Sequence, residues 1–372
     1  MTKTWDVAIA GGGIIGGAIA FELARRGVNV IVLDKQSPGN EASWAAAGML
    51  SPTPHSAHDI PLLPLMAASA AIYPEFVAAV ESASGEHACF QQIGAMEALF
   101  APDAEREMNT LLALHHGLGL QTDPLPLAQA FHLEPSLSRS ARAVALRDSE
   151  ACVDNRAFTS AVLRAAATSG AEFRTDSPVE EIVVADDRCA GVIASGEKIP
   201  ARNVVIAAGC YSAQIDGVAR YAPMRPVRGQ MVAMRSDHVD LKHVLRSERC
   251  YIVPRGNGVC VAGSTLEDVG FVKRITPDGI AKILNAVLEM IPGLGDAEVI
   301  ETWSGLRPAT PDHLPSLGTT DIDGLIIATG HYRNGILLTP ITARLAAAWI
   351  TGERIAIACD AFSPMRFANA QR

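Results

Sequence analysis

Three glycines, Gly11, Gly13 and Gly16, lie between an apolar run and a helical pattern, and no other feature constrains this chain as much. Residues 6–10 read Asp-Val-Ala-Ile-Ala, a short run rich in small and β-branched residues. The cluster Gly11-Gly12-Gly13-Ile14-Ile15-Gly16-Gly17 follows, then a helical pattern from Ala18 to Arg26 with Gly27 as its C-cap candidate. A second apolar run, Val28 to Leu33, ends at Asp34, 23 residues after Gly11. Strand, glycine turn, helix, strand and acid in this order describe a βαβ unit, and the fully apolar strands suit a parallel sheet buried on both faces. Gly11 permits the tight turn, Gly13 lets the backbone approach a pyrophosphate, and Gly16 allows close helix–strand packing. The helix N-terminus offers free N–H donors and the positive end of its dipole to phosphates. Asp34 stands where an acid accepts hydrogen bonds from ribose hydroxyls. The arrangement predicts a dinucleotide site; the bland alternative is a glycine-rich turn in an unrelated α/β fold.

A chain of 372 residues exceeds what one core usually serves, so two domains, possibly interleaved, are expected. With 49% hydrophobic and 19% charged residues it can bury a large core, which excludes disorder as its main state. A formal charge of −9 argues against a general nucleic-acid or anionic-membrane binder, because both need basic patches. It leaves room for a small anionic substrate held by one or two local arginines. The seven cysteines are odd in number, widely spaced and without a C-x-x-C pair, so neither a metal site nor a disulfide framework is expected and a reducing cytoplasm fits. No charged segment followed by an apolar one marks a secretory leader, and no uninterrupted apolar stretch of about 18 residues marks a membrane span.

Further along, residues 61–82, 103–116 and 157–169 read as helices, and 172–174, 179–184, 191–194 and 203–208 as strands. From Met224 to Met234 and from Cys250 to Ala262 the texture changes to longer strands of mixed polarity, as in an antiparallel sheet outside the nucleotide domain. Residues 275–291 read as a helix, 324–328 as a buried strand, and Thr329-Gly330-His331-Tyr332-Arg333-Asn334-Gly335 as a turn into a helix over 336–350. The segment 36–56, rich in Ser, Pro, Gly and Ala, is too long for a simple connection. A plain nicotinamide dehydrogenase has no need of its Ser43-Trp44-Ala45-Ala46-Ala47-Gly48-Met49 stretch. Small residues there would let the chain pass beside the pyrophosphate and ring system of a larger cofactor, with Ser43 as a donor.

With these residues in place the chain resembles the FAD-dependent D-amino-acid oxidase superfamily. Three later stretches narrow the resemblance to the glycine oxidase family. They are Cys250-Tyr251-Ile252-Val253-Pro254-Arg255, Gly305-Leu306-Arg307-Pro308-Ala309-Thr310, and Gly330-His331-Tyr332-Arg333-Asn334-Gly335-Ile336-Leu337-Leu338. The resemblance spans nearly the whole chain. It implies an α/β fold: a Rossmann-like FAD-binding domain with a parallel sheet, assembled from residues 1–85, 146–220 and 305–372. Interleaved with it would be an α+β substrate domain on an antiparallel sheet, from 86–145 and 221–304. Noncovalent FAD would lie on Gly11, Gly13, Ile14, Ile15 and Gly16, with Asp34 and Lys35 at the ribose. Ala42, Ser43, Ala47, Gly48 and Met49 would line the phosphates and flavin, and Val179 would meet the adenine. Gly330, His331, Tyr332, Arg333, Asn334, Gly335, Ile336 and Leu337 would wrap the pyrimidine end, where the helix dipole favours the negative charge of reduced flavin.

A small amino acid substrate presents a carboxylate, which a planar, permanently charged guanidinium can hold through both oxygens. The resemblance gives that role to Arg307, with Tyr251 donating its hydroxyl and Arg333 near flavin and substrate. The implied reaction is hydride transfer from Cα to flavin N5, hydrolysis of the imino acid to a 2-oxo acid and ammonia (or amine), and reoxidation by oxygen to hydrogen peroxide. The expected substrates are glycine, sarcosine and small D-amino acids, in thiamine biosynthesis. A neutral substrate amine suffices to expel the hydride, so no protein base is required, and His331 is read as a backbone or flavin contact. No cysteine lies between Pro308 and Gly318, where a covalent flavin link would be sought. One departure stands out: the family's histidine before the Cys-Tyr pair is Arg249 here. The closest alternative is a D-amino-acid dehydrogenase passing electrons to a quinone or another acceptor. A nicotinamide dehydrogenase and a flavin-binding scaffold without turnover are further alternatives. The family resemblance also implies a homo-oligomer, with a tetramer as the usual form.

Overall fold

The structure is a computed structural model that describes residues 3–54, 57–354 and 356–370. The chain begins with β1 (Trp5–Ala10), α1 (Ile14–Ala24), β2 (Val30–Leu33), α2 (Ala42–Ala45), β3 (Met49–Leu50) and α3 (Leu63–Ser84). Next come β4 (Ala95–Leu99), α4 (Ala104–Gly117), β5 (Asp123–Leu125), α5 (Leu127–Leu133), β6 (Ala143–Arg147), β7 (Ala151–Cys152) and α6 (Asn155–Thr168). Strands β8 (Glu172–Arg174), β9 (Val179–Ala185), β10 (Arg188–Ala194) and β11 (Glu197–Ile206) follow. The next set is β12 (Arg225–Arg235), β13 (Val244–Arg246), β14 (Tyr251–Gly256), β15 (Val259–Gly263) and α7 (Pro277–Met290). The chain closes with β16 (Glu298–Ala309), β17 (Ser316–Thr319), β18 (Leu325–Thr329), α8 (Gly335–Thr351) and α9 (Met365–Ala370).

Two eight-stranded sheets organise these elements. The first runs β17-β18-β11-β1-β2-β8, with β18, β11, β1, β2 and β8 parallel and β17 antiparallel at one edge. Helices α1, α3, α6 and α8 pack together on one face around Tyr73, Phe76 and Phe158. Helix α1 is buried along its whole length and starts at Ile14, earlier than the pattern from Ala18 predicts. Its first turn is made by the glycine cluster itself, with Gly17 N–H bonded to Gly13 C=O at 2.8 Å. Burial on every side outweighs the poor helix propensity of glycine. Strand β11 also starts earlier than expected. Its first half pairs antiparallel with β10, and its second half pairs parallel with β1 and β18.

The second sheet runs β16-β12-β15-β14-β13-β4-β6-β5 and is antiparallel apart from the β13–β4 pair. Residues 250–262 fold as a hairpin, β14 and β15, around Asn257-Gly258. Both turn residues have positive φ, 52° and 72°, which is the two-residue turn that Asn-Gly favours. Strand β16 continues to Ala309, so the expected domain boundary between 304 and 305 falls inside a strand. The boundary between 145 and 146 likewise falls inside β6. Helix α7 starts as its sequence dictates, with Thr276 capping Gly279 N–H and Pro277 in the first turn.

One segment, Asp59–Ser84, is long and apolar enough to cross a membrane by length and composition. One face of it packs Leu65, Met66, Tyr73, Phe76, Val77 and Val80 into the first core.

Candidate active site

Strand alternation sorts the second sheet into two faces. Met96, Val144, Val232, Leu245, Ile252, Cys260 and Ala262 pack against α7 and its surroundings. The residues of opposite parity face the other way, where Met231, Tyr251 and Trp303 pack with Ala45 and Ala47. A row in register across the sheet reads Trp303, Met231, Gly263, Tyr251, Arg246 and Glu97. Arg307 lies on this face too, four residues along β16 from Trp303. Between this face and the ends of β1 and β2 lies one continuous cavity of about 730 Å³.

Gly11, Gly13, Ile14, Ile15, Asp34, Lys35, Ala42, Ser43, Ala47, Gly48, Met49 and Val179 all line the cavity. Gly11 has φ +104°, and a Cβ there would lie 2.5 Å from Ala207 O. Ile14 N–H, at the α1 N-terminus, donates to Ser43 Oγ at 2.9 Å. Asp34 receives Gly12 N–H at 2.7 Å and Gln36 N–H at 3.0 Å. Burial raises its pKa, and these two donors act against the rise. Lys35 is tied to Glu41 at 2.8 Å and lies 3.3 Å from the Tyr211 ring centroid. Burial raises the Glu41 pKa, but Lys273 and Lys35 outweigh it and the carboxyl stays below its usual range.

Gly16, Gly330 and Leu337 are not in the cavity wall. A Cβ on Gly16 would lie 1.9 Å from Gly11 O, so its role is the close packing of helix on strand. Gly330 packs against Thr310, and Leu337 is buried in the first core with its carbonyl accepting from Ser69 Oγ at 2.6 Å. His331, Tyr332, Arg333, Asn334, Gly335 and Ile336 do line the cavity. Burial pushes the His331 pKa down to about 3, and its Nε2 is shared with Thr342 Oγ1 at 3.0 Å. Such a ring is neutral and engaged, which suits contact and not proton abstraction. Tyr332 stacks on His313, with ring centroids 4.9 Å apart. Arg333 is exposed, 5.3 Å from the Tyr332 ring centroid.

The Arg307 guanidinium crosses from β16 over Gly229 and donates to Ser264 Oγ at 2.5 Å and Thr265 O at 3.3 Å. Tyr251 OH sits beside it over Gly263, 3.4 Å from Met231 Sδ. The two groups thus converge on one patch, although they come from strands three places apart in the sheet order. Two cysteines reach the cavity. Burial pushes the Cys210 thiol up to about 12 and Cys250 up to about 11, so both are protonated at neutral pH. Among the described residues no group of three His, Cys, Asp or Glu side chains could hold a metal ion.

Two residues, Asn155 and Arg255, do work that no local sequence signal assigns to them. Asn155 donates to Ser43 O and Trp44 O, both at 2.9 Å, and accepts from Arg255 Nη2 at 3.0 Å. Arg255 also donates to Ala47 O at 2.8 Å. This pair clamps the 43–48 segment to the strand that carries Tyr251. Asparagine before a helical pattern reads only as a capping residue, so nothing local signals its partners.

The cavity suits a dinucleotide. A helix N-terminus and an acid at the end of β2 face it, and Gly13 has no Cβ where one would stand 3.2 Å from Ser43 Oγ. A family profile described as FAD dependent oxidoreductase matches residues 6–349. The chain belongs to the FAD dependent oxidoreductase family, and FAD is its cofactor. Within the family its similarity runs to proteins named bifunctional protein ThiO/ThiG and glycine oxidase. It is 35% identical over 356 residues to the bifunctional protein ThiO/ThiG of Trichormus variabilis, covering 94% of this chain and 53% of that protein. The chain thus spans about half the length of the bifunctional curated relatives it matches. It is 32% identical over 371 residues to the glycine oxidase of Geobacillus kaustophilus, covering 98% of each. The crystal structure of a glycine oxidase from that organism matches with a TM-score of 0.93 at 30% identity, over 98% of this chain and 99% of the other. The iminodiacetate oxidase of Chelativorans sp. BNC1 matches at 0.87 and 29%, over 96% and 98%.

Proposed function

We propose that this chain is an amino-acid oxidase of the glycine oxidase type. It oxidises glycine, sarcosine and small D-amino acids to a 2-oxo acid and ammonia or amine, with oxygen reduced to hydrogen peroxide. The observation that carries the reading is the convergence of Arg307 and Tyr251 on one wall of the nucleotide cavity. Arg307 holds the substrate carboxylate through a charge-assisted contact, and Tyr251 donates its hydroxyl to the same group. Arg333 stands at the rim as a second cation near the reacting end. Bound noncovalently, FAD supplies the acceptor for the hydride leaving Cα. The chain's residues position the substrate and leave its amine neutral; none is needed as a base. His331, neutral and bonded to Thr342, contacts the cofactor and takes no proton. We assign the enzyme to thiamine biosynthesis, in keeping with the names of its relatives, to the cytoplasm, and to a homotetramer that sedimentation would measure.

The test is peroxide formation in air by the purified protein against glycine, sarcosine, D-alanine and D-proline, with its visible spectrum recorded. A yellow protein that makes peroxide with one of these supports the reading. Bleaching without peroxide would make it a dehydrogenase needing another acceptor, and a colourless protein that cannot take up FAD would overturn the reading.

A further inference from the structure

The cavity face of the second sheet does not end at Tyr251. Arg246 is its direct cross-strand neighbour and Glu97 the next, at about 5 Å per strand. Arg147, on the same face of β6, lies opposite Ala95. Helix α4 packs over this end through Ala104 and Met108, against Leu99 and Ala145, and brings His115 into the cavity wall.

Four charged groups at this end are paired with one another, while the exposed Glu248 carboxylate, also in the wall, stands outside that cluster. Arg147 Nε is 2.6 Å from Glu150 Oε1, and its Nη2 is 3.1 Å from Glu97 Oε2. Arg246 lies 3.5 Å from Glu97 and 3.6 Å from Glu150, and donates to Ser51 Oγ at 2.8 Å. Two guanidinium groups thus balance two carboxylates. His115 is 2% exposed. Its Nδ1 is shared with Thr122 Oγ1 at 2.8 Å, while its Nε2 is buried without a partner among the described residues. Burial, and then the positive charge of Arg147, lower the pKa of this imidazole, so it is neutral at physiological pH.

We propose that this end of the cavity is a second subsite, which binds a neutral hydrogen-bonding group, a hydroxyl or carboxamide, on the side chain or nitrogen of the substrate. The proposal rests on the amino-acid oxidase reading and adds to it the class of substituent. A second carboxylate entering here would shed its water and meet no uncompensated positive charge, and an ammonium would find only Glu248, exposed and outside the paired cluster. An apolar group would leave His115 Nε2 unpaired at the cost of a buried polar atom. A hydroxyl or amide meets both conditions. Neither His115 nor Arg246 carries a signal in the sequence that links it to Arg307.

The test uses matched substrates that differ by one hydroxyl: D-serine against D-alanine, and N-(2-hydroxyethyl)glycine against N-ethylglycine, with iminodiacetate as the charged comparison. For the wild-type holoenzyme we expect kcat/KM to favour the hydroxyl in at least one pair by about fivefold or more, the scale of one buried neutral hydrogen bond. In H115F, which keeps the ring and removes its nitrogens, that ratio falls toward unity. Equal or lower kcat/KM for both hydroxyl substrates would overturn the proposal, as would a ratio that H115F leaves intact. Preference for iminodiacetate over N-(2-hydroxyethyl)glycine would overturn it as well. If H115F does not fold, the wild-type ratios decide alone. Oxidation of glycine or D-alanine with flat hydroxyl ratios sinks the subsite only, whereas no oxidation of any amino acid sinks the underlying reading and the subsite together.

Discussion

Gly229 lies directly beneath the Arg307 guanidinium: a Cβ added there would stand 2.3 Å from Nη2 and 2.4 Å from Nη1. The absence of a side chain on β12 is what lets an arginine from β16 reach Ser264, beyond β12, and stand next to Tyr251. Gly229→Ala should therefore displace the guanidinium without touching the nucleotide end. The expected result is a KM for glycine raised about tenfold or more, with FAD content unchanged. Unaltered kinetics in that variant would contradict the placement of Arg307.

Removing the guanidinium itself should cost more. Arg307→Ala is expected to lower kcat/KM by about 100-fold or more, the scale of a lost charge-assisted contact to a carboxylate. Near-normal kinetics would remove Arg307 from the substrate site.

At the nucleotide end, Gly13→Val should abolish retention of FAD, because even a Cβ reaches 3.2 Å from Ser43 Oγ and the branched chain extends further into pyrophosphate space. The flavin absorbance of the purified variant reads this out. Asn155→Ala acts more gently. It frees the 43–44 carbonyls and leaves Arg255 without one of its acceptors, so FAD should bind about tenfold more weakly. A fluorescence titration of the apoprotein measures the change.

Stability should depend on His331 below neutral pH. Folded, the ring stays neutral down to about pH 3, whereas the unfolded chain protonates it near pH 6.5. Between these values the unfolded state holds one more proton, so stability rises with pH there. The contribution is complete above about pH 6.5 and is lost at about 1.4 kcal/mol per pH unit as pH falls toward 3. His331→Gln should reduce the difference in Tm between pH 7.5 and pH 5. An unchanged difference would mean that other groups carry it.

Arg249 is exposed and paired with Glu289 at 3.0 Å, yet it lines the cavity. Arg249→His should reorder glycine, sarcosine and D-alanine by kcat/KM, and an unchanged order would show that this position has no part in selection.

The legible parts of this molecule were those whose signals are local. The βαβ unit could be read because glycine spacing, strand length and the terminal acid all fall within 24 consecutive residues, Gly11 to Asp34. The turn at residues 330–335 was legible for the same reason. Strands β4 and β6 were not, because Ala-Met-Glu-Ala-Leu and Ala-Val-Ala-Leu-Arg place a charge on an inward face. An alternating pattern reads such a residue as solvent-facing. Glu97 and Arg147 are tolerated there because they pair with each other, 50 residues apart, and with Arg246 and Glu150 respectively. The hairpin at Asn257-Gly258 carries a local signal in its Asn-Gly pair, although the mixed polarity of residues 250–262 reads as longer strand.

The sequence by itself determined the nucleotide turn, the acid at its second strand and the antiparallel texture of residues 224–234 and 250–262. Each rests on periodicity or on residue chemistry within one short segment, whereas the candidate role of Arg307 came from the family resemblance of its motif. Only the tertiary structure decided which face of the antiparallel sheet closes the cavity. It also decided that Gly229 clears the path of Arg307, that Asn155 and Arg255 tie the 43–48 segment to the Tyr251 strand, and that His115 stands over the far end. Those relationships join residues tens to hundreds of positions apart. Strand pairing and register bring them together, and a code read along the chain carries no term for either.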